Sequence, residues 1–139
     1  VAAALAAAVA LVVGVVAVAR PDDEPTDLAG LADAALDEAD AQVATLADDG
    51  GRPRARVVVD GSTGYVFVDD LPTLPAGEEY QLWKVAGEIP VSLGVLGDGS
   101  EPVAAVGMPA DTTTLAISTE PAGGSPSPTG DVVASGAFA

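Results

Sequence analysis

The sequence predicts an all-β fold, an antiparallel β-sandwich of seven to eight short strands, preceded by a transmembrane helix and a short amphipathic helix. Three observations support this prediction. The chain opens with nineteen residues that carry no charge. Apolar residues then recur at helical spacing within an acidic stretch. After residue 40, short β-rich runs alternate with turn-forming residues. The predicted divisions are therefore 1–20, 21–40 and 41–139.

Residues 1–20 are predicted to form the transmembrane helix. Nineteen apolar residues extend roughly 28 Å as a helix, close to the bilayer's hydrocarbon thickness of about 30 Å. Arg20 ends the run, where its side chain can reach the lipid headgroups. The alternatives are a cleaved signal peptide, for which Ala17-Val18-Ala19 is a fitting cleavage site, and a buried core helix. The transmembrane helix and the signal peptide both place the following residues outside the cytoplasm.

Residues 21–40 are predicted to form an acidic juxtamembrane linker that contains a short helix. They hold eight acids and no base. Asp27 is suited to cap a helix that runs from Leu28 to about Asp40 and packs one apolar face on the following domain. Because an extended, exposed stretch is accessible to proteases, the candidate cleavage region is Pro21, Asp22, Asp23, Glu24, Pro25, Thr26 and Asp27. A passive spacer is the alternative.

Residues 41–139 contain eight segments with the composition of short strands. Tight turns are predicted at residues 61–64 and at Asp98-Gly99. The proline-containing residues 71–77 and the Pro-, Gly- and Ser-rich residues 121–130 are predicted to be connections. Trp83, the only tryptophan, is expected at the centre of the fold, with a ligand-stacking surface as the alternative. The predicted strands are Gln42–Leu46, Arg54–Asp60, Tyr65–Val68, Glu79–Val85, Val91–Leu96, Val103–Met108, Thr113–Thr119 and Asp131–Phe138.

The composition excludes several classes of function. Without cysteine or histidine the chain has no thiolate nucleophile, no Cys/His metal site and no imidazole base. From residue 21 onward four bases face twenty-one acids, a formal charge of −17, which repels nucleic acid. The neighbouring acids Asp69-Asp70 and Glu78-Glu79 point to opposite faces of a strand. Asp98–Glu101 lacks the full spacing of a calcium loop. We therefore expect a protein that is not an enzyme, with no catalytic residue, cofactor or metal.

Two segments together resemble the C-terminal domain of the anti-sigma-K factor family, in order and spacing, over residues 40–139. We call residues 71–83 the first motif segment and residues 119–130 the second motif segment; Pro90 and Gly94 match a weaker third element. The matching residues of the first are Leu71, Pro72, Leu74, Pro75, Ala76, Gly77, Tyr80, Gln81, Leu82 and Trp83. Those of the second include Glu120, Pro121, Gly123, Gly124, Pro128 and Gly130.

The resemblance implies a membrane-anchored anti-sigma factor, a single-pass protein of the bacterial, mostly actinobacterial, plasma membrane. Members of the family bind an extracytoplasmic-function sigma factor through a cytosolic helical domain. Their C-terminal domain is extracytoplasmic, and regulated proteolysis by site-1 and intramembrane proteases would release the sigma factor. The chain begins at the predicted membrane helix, on Val1 rather than methionine. We therefore expect a fragment of a longer protein, without the sigma-binding residues; the alternative is a truncated relative that no longer antagonises a sigma factor.

The motif residues are predicted to be mainly structural. Tyr80 and Leu82 should point to one face of the sheet, and Gln81 and Trp83 to the other. A buried Gln81 needs hydrogen-bond partners, which loop backbone groups can supply. We expect the loop 121–130 to pack over Trp83. The alternative is a ligand site or a protease-docking site. The alternative function for the whole chain is a secreted or membrane-anchored β-sandwich binding module for a cell-envelope ligand.

Overall fold

A computed structural model describes residues 27–38 and 40–138. This part of the chain forms one helix and eight strands, which confirms the predicted all-β class and places every strand end within two residues of its expected position. The elements are α1 (Leu28–Leu36), β1 (Gln42–Ala47), β2 (Pro53–Asp60), β3 (Thr63–Val68), β4 (Glu78–Ala86), β5 (Ile89–Gly97), β6 (Val103–Gly107), β7 (Thr114–Pro121) and β8 (Val132–Ala137).

The eight strands form one antiparallel sheet in the order β5-β4-β7-β8-β1-β2-β3-β6. The prediction of a two-sheet sandwich is therefore corrected to a single continuous sheet. Its halves join between β8 and β1, where Ala47 pairs with Ser135 and Ala44 bridges to Phe138. The sheet curls until its edge strands touch: a Cβ atom on Gly94 of β5 would lie 3.1 Å from Val106 of β6. A curled sheet and a sandwich produce the same in–out alternation of side chains, so the sequence could not distinguish them.

The curled sheet encloses the main core. The buried residues come from both halves of the sheet, with Leu46 and Val57 on one half and Leu82, Leu115 and Ile117 on the other. Two bulges between β4 and β5, after Tyr80 and after Leu82, bend the edge strand around this core. The outer face of each half carries further buried side chains, and each face therefore needs a cover.

Helix α1 covers the outer face of the half that contains β2 and β3. Asp27 is the N-cap as predicted, its Oδ1 accepting a hydrogen bond from the Gly30 N–H at 2.9 Å. The helix ends at Leu36 with Asp37 as its C-cap, earlier than the predicted Asp40. It has to end early because Gln42 already pairs with Val59 in the sheet.

The predicted membrane-spanning helix, residues 1–20, and residues 21–26 of the candidate cleavage region lie outside the described residues. Asp27, the last residue of that region, is exposed at the helix N-terminus. Among residues 27–38 and 40–138 there is no candidate membrane-spanning helix.

The junction between the two halves of the sheet depends on a glycine. A Cβ atom at Gly136 of β8 would overlap the carbonyl oxygen of Thr45 in β1. We expect Gly136→Ala to force β8 away from β1 and to lower the free energy of unfolding by about 1–3 kcal/mol. Urea unfolding followed by Trp83 fluorescence measures this.

Gly50→Ala is the matched control, because its Cβ atom would meet only an Asp48 carboxylate oxygen at 3.4 Å. This control should change the stability by less than about 1 kcal/mol. Equal effects of the two substitutions would show that the β1–β8 junction does not hold the halves together.

Candidate functional site

The two motif segments meet on the outer face of the β4–β7 strand pair. In this pair Gln81 lies opposite Ser118 and Glu79 lies opposite Glu120. Tyr80 and Leu82 point into the enclosed core, so Gln81 and Trp83 occupy the opposite, outer face. Both outer side chains are nevertheless buried. The β7–β8 loop (residues 122–131) lies against this face and donates and accepts the hydrogen bonds described next.

The side-chain amide of Gln81 binds the backbone of the loop from both ends. Its Oε1 accepts from the Ser125 N–H at 2.8 Å, and its Nε2 donates to the Ser125 carbonyl oxygen at 3.0 Å. Nε2 also donates to Ser92 Oγ of β5 at 2.6 Å. Gln81 thus pairs with Ser125 as a neighbouring strand residue would, and this pairing fixes the middle of the loop on β4.

A second chain of hydrogen bonds, buried at the strands and partly buried at the loop, fixes the end of the loop. Trp83 Nε1 donates to Ser118 Oγ at 2.8 Å, and Ser118 Oγ donates to Glu120 Oε2 at 2.5 Å. Glu120 also accepts from the Thr129 N–H at 3.0 Å, from Thr129 Oγ1 at 2.5 Å and from the Gly130 N–H at 3.3 Å. Trp83 and Ser118 are completely buried, and Glu120 is 2% exposed. The indole, the carboxylate and the loop backbone therefore form one connected unit.

The Glu120 carboxylate is buried without a cation, since none of the ion pairs among the described residues includes it. Burial raises the pKa of this group, but the hydrogen bonds from Ser118, Thr129 and Gly130 outweigh burial and lower its pKa from 4.5 to about 2. Glu120 is consequently ionised at neutral pH, and its charge is stabilised by neutral O–H and N–H donors alone.

The start of the first motif segment closes the end of the sheet. Leu71 and Leu74 pack against the enclosed core. The Pro72 carbonyl oxygen accepts a hydrogen bond from Tyr80 Oη at 2.6 Å, and the Pro75 carbonyl oxygen accepts one from the Glu78 N–H at 3.2 Å. These contacts account for the Leu-Pro-x-Leu-Pro pattern as a shaped connection across the core.

Direct contacts also join the first motif segment to the beginning of the β7–β8 loop. The Gly77 carbonyl oxygen accepts from the Ala122 N–H at 2.9 Å, and Glu79 Oε1 accepts from the Gly123 N–H at 2.7 Å. Pro121 pairs with Glu78 at the end of the β4–β7 ladder, and Pro128 is half-buried in the loop. The two segments that the sequence singled out are thus in contact, although about forty residues separate them along the chain.

Three acids that were weighed from the sequence as catalytic or calcium-binding groups, Asp69, Asp70 and Asp98, form local ion pairs and hydrogen bonds instead. Asp69 pairs with Arg56 at 2.8 Å and Asp70 with Arg52 at 2.9 Å. Asp98 Oδ1 accepts hydrogen bonds from the backbone and the hydroxyl of Ser100, at 2.9 and 2.6 Å, within its own turn. No group of three or more acids in the described ranges is arranged to hold a metal ion.

Sequence reasoning missed the residues that complete the two hydrogen-bond networks: Ser92, Ser118, Ser125 and Thr129. A signal was present for Ser118. It interrupts the apolar β7 strand, and Glu120 follows two residues later on the same face. Two polar side chains on one face of an otherwise buried strand indicate a buried polar contact. Ser125 and Thr129 lie within the second motif segment, but the sequence did not indicate their partners, Gln81 of β4 and Glu120 of β7.

Glu120 should make the stability of the domain depend on acid. Because the folded-state pKa is about 2 and the ordinary value is 4.5, the stabilisation is fully present above pH 4.5 and is lost as the pH falls towards 2. The shift corresponds to about 3 kcal/mol. Glu120→Gln should lower the free energy of unfolding at pH 7 by about 2–4 kcal/mol. The amide N–H groups of the new side chain would face the O–H and N–H donors that now bind the carboxylate. Urea unfolding of wild type and variant at pH 7, 4 and 2.5 measures both effects.

Glu101→Gln is the control, because Glu101 is exposed and its substitution changes the charge without removing a buried carboxylate. It should leave the stability at pH 7 and its dependence on acid unchanged. A Glu120→Gln variant that keeps the acid dependence of the wild type would show that Glu120 is not its source.

Substitutions at two neighbouring glycines, Gly123 and Gly124, test how tightly the β7–β8 loop packs on Gln81. Both adopt positive φ, +92° at Gly123 and +84° at Gly124, so alanine is strained at either position. A Cβ atom at Gly124 would also lie 3.0 Å from Gln81 Oε1 and 2.9 Å from Val95, whereas one at Gly123 would meet nothing within 4 Å. We expect Gly124→Ala to destabilise by about 1 kcal/mol more than Gly123→Ala in urea unfolding. Equal losses would mean that the loop is not tightly docked.

Comparison with known proteins agrees with the motif segments. A family model described as "Anti-sigma-K factor rskA, C-terminal" matches residues 1–132. The chain is 31% identical over 118 residues to a protein named anti-sigma-K factor RskA from Mycobacterium ulcerans (strain Agy99), which covers 83% of this chain and 49% of that protein. The chain thus spans about half the length of this curated relative. No solved structure matches it. The chain belongs to the anti-sigma-K factor C-terminal family.

Proposed function

We propose that this chain is the transmembrane and extracytoplasmic part of a membrane-anchored anti-sigma factor. In this role it negatively regulates an extracytoplasmic-function sigma factor through regulated proteolysis. The observation that carries the proposal is the family match over residues 1–132, which includes both motif segments in full. The relative from Mycobacterium ulcerans is itself named an anti-sigma factor. The sigma factor would bind a cytosolic domain that lies in the half of the relative outside this match.

The proposal places residues 1–20 in the plasma membrane and the β-domain outside the cytoplasm. The uncharged residues 1–19 support this placement. The surface of the β-domain is compatible with it, because all four bases of the described part are paired with acids and leave an excess of negative charge. A site-1 protease would cut in the candidate cleavage region, residues 21–27, and an intramembrane protease would follow.

The motif residues would serve this function by keeping the domain closed. The hydrogen bonds of Gln81, Trp83 and Glu120 are all internal, and each uses the polar group that the side chain offers. A buried polar network that is fully satisfied gives a rigid, unique packing. We propose that these residues hold the β-domain in a single protease-resistant state rather than receiving a ligand. Proteolytic control then acts on the segment between the membrane and the sheet.

One observation favours the alternative function, a binding module for a cell-envelope ligand. The β4–β5 hairpin extends beyond the end of β7, and its side chains Ile89 and Val91 are 74% and 46% exposed. Apolar side chains at a hairpin tip can form a contact surface. The anti-sigma role is favoured because the family match covers nearly the whole chain, whereas this surface comprises two side chains.

Deleting the full-length gene in its native bacterium tests the proposal. We expect transcription of the sigma factor's own target genes to rise, because the sigma factor is no longer held. Reintroducing the full-length protein should restore repression, and quantitative RNA sequencing measures both changes. A deletion that raises no set of transcripts with a shared promoter would contradict the anti-sigma role.

The position of the cleavage is tested separately by N-terminal sequencing of the fragment released under inducing conditions. The new N-terminus should lie within residues 21–27, since the folded sheet resists proteases. A first cut between Gln42 and Ala137 would contradict this part of the proposal.

A further inference from the structure

We propose that α1 is a releasable strap, and that its undocking from the intact sheet gives a protease access to the chain that precedes β1. This inference rests on the proposed function, in which residues 1–20 are in the membrane. It assigns the regulated step to the contact between α1 and the outer face of β2 and β3. The sheet itself stays folded during that step.

Apolar contact, assisted by the attraction between Asp33 of α1 and the Arg56 guanidinium of β2, holds α1 on the sheet. Ala32 and Ala35 are buried against Val58, Tyr65 and Phe67. Leu28, Leu31 and Leu36 lie at the edges of this contact and are half-buried. Within the described ranges, no hydrogen bond or ion pair joins residues 27–38 to any strand. Undocking therefore breaks no hydrogen bond or ion pair to the sheet and removes only the longer-range attraction between Asp33 and Arg56.

The cover of the opposite half of the sheet is held very differently. The β7–β8 loop is fixed by the amide of Gln81 and by the buried carboxylate of Glu120, which together bind Ser125, Thr129 and Gly130. Polar groups with buried partners resist separation, because each would be left unsatisfied on the way out. Of the two covers, α1 is thus the one that can leave without breaking a hydrogen bond to the sheet.

The helix also has little stability of its own. It is nine residues long and contains Gly30, whereas isolated helices shorter than about 12–15 residues are marginal in water. Once it leaves the sheet it loses the packing that keeps it folded. The strap therefore becomes extended chain, the form that proteases bind.

The order of elements along the chain makes α1 the first to respond to the membrane side. Residues 21–26 connect the predicted membrane helix to Asp27, and α1 connects Asp27 to β1. Strand β1 is paired with β2 along its whole length and bridges to β8. A pull or a binding event at the juxtamembrane segment acts on the weakly held helix before it reaches a paired strand.

Two alanines of α1 provide a matched test on the whole chain in detergent micelles. Ala32 is fully buried against the sheet and Ala34 is exposed on the same helix. Ala32→Asp places a carboxylate in the apolar contact, whereas Ala34→Asp adds the same charge to the solvent face. Thermolysin cleavage on the N-terminal side of Gln42 should be at least about tenfold faster for Ala32→Asp than for Ala34→Asp, which should match wild type. Urea unfolding monitored by Trp83 fluorescence should show a folded sheet in both variants.

A third variant changes the rate in the opposite direction. Gly30→Ala favours the helical state of the strap and should slow the same cleavage several-fold, about fivefold. Hydrogen exchange of wild type should show the amides of residues 28–36 exchanging at least about 100-fold faster than those of β4 and β7. This exchange should not depend on urea, because local undocking exposes little surface.

Three results would overturn the strap. Equal cleavage rates for Ala32→Asp and Ala34→Asp would show that docking does not limit access. First cuts in the β7–β8 loop or in residues 69–77 would show that another segment opens first. Exchange of α1 together with the sheet, with the same dependence on urea, would show that the helix leaves only on global unfolding. None of these measurements involves a sigma factor, so their outcome does not depend on the outcome of the transcript experiment.

Discussion

The buried carboxylate of Glu120 is the group on which the outer face of the β4–β7 pair depends. It is 2% exposed, and none of the ion pairs described neutralises it. Its charge is tolerated because Ser118, Thr129 and Gly130 all donate to it. Those donors come from β7 and from the end of the β7–β8 loop, so the loop must lie where it does for the charge to be stable. Trp83 is connected to the same group through the Ser118 hydroxyl.

A single curled sheet imposes a second constraint, because both of its faces carry buried side chains. The inner face is covered by the sheet itself, through the junction of β1 with β8 and the approach of Gly94 to Val106. The outer face needs separate covers, and the protein uses two of opposite chemistry. A loop rich in hydrogen bonds covers one half, and a short helix with an alanine-rich contact covers the other. The two covers therefore differ in how readily they separate from the sheet.

This difference agrees with the position of each cover in the chain. The loop lies between the last two strands of the chain, and its hydrogen bonds keep the domain a single rigid unit. The helix lies directly between the juxtamembrane residues and the first strand, where a change of state alters how much chain is exposed. The proposed function, in which proteolysis regulates the anti-sigma factor, needs both properties. The domain must resist digestion, and one segment must become available.

The amino-acid sequence determined the strands, the helix cap and the two motif segments. Alternation of apolar residues and turn-forming glycines is a local property, so the strand ends were predicted within two residues. Asp27 was predicted as the cap for the same reason. Tyr80 and Leu82 were correctly assigned to the face opposite Gln81 and Trp83, because the period of a strand is two.

Only the tertiary structure decided which distant groups meet. Whether eight alternating strands make two sheets or one depends on a single junction between β8 and β1, which no local pattern encodes. The partners of Gln81 and Glu120 lie on a loop that is irregular in sequence, and Ser125 and Thr129 resemble any exposed turn residue until the fold brings them to β4 and β7. Local sequence fixes backbone period and turn geometry, whereas hydrogen bonds between residues far apart in the chain exist only once the whole sheet has closed.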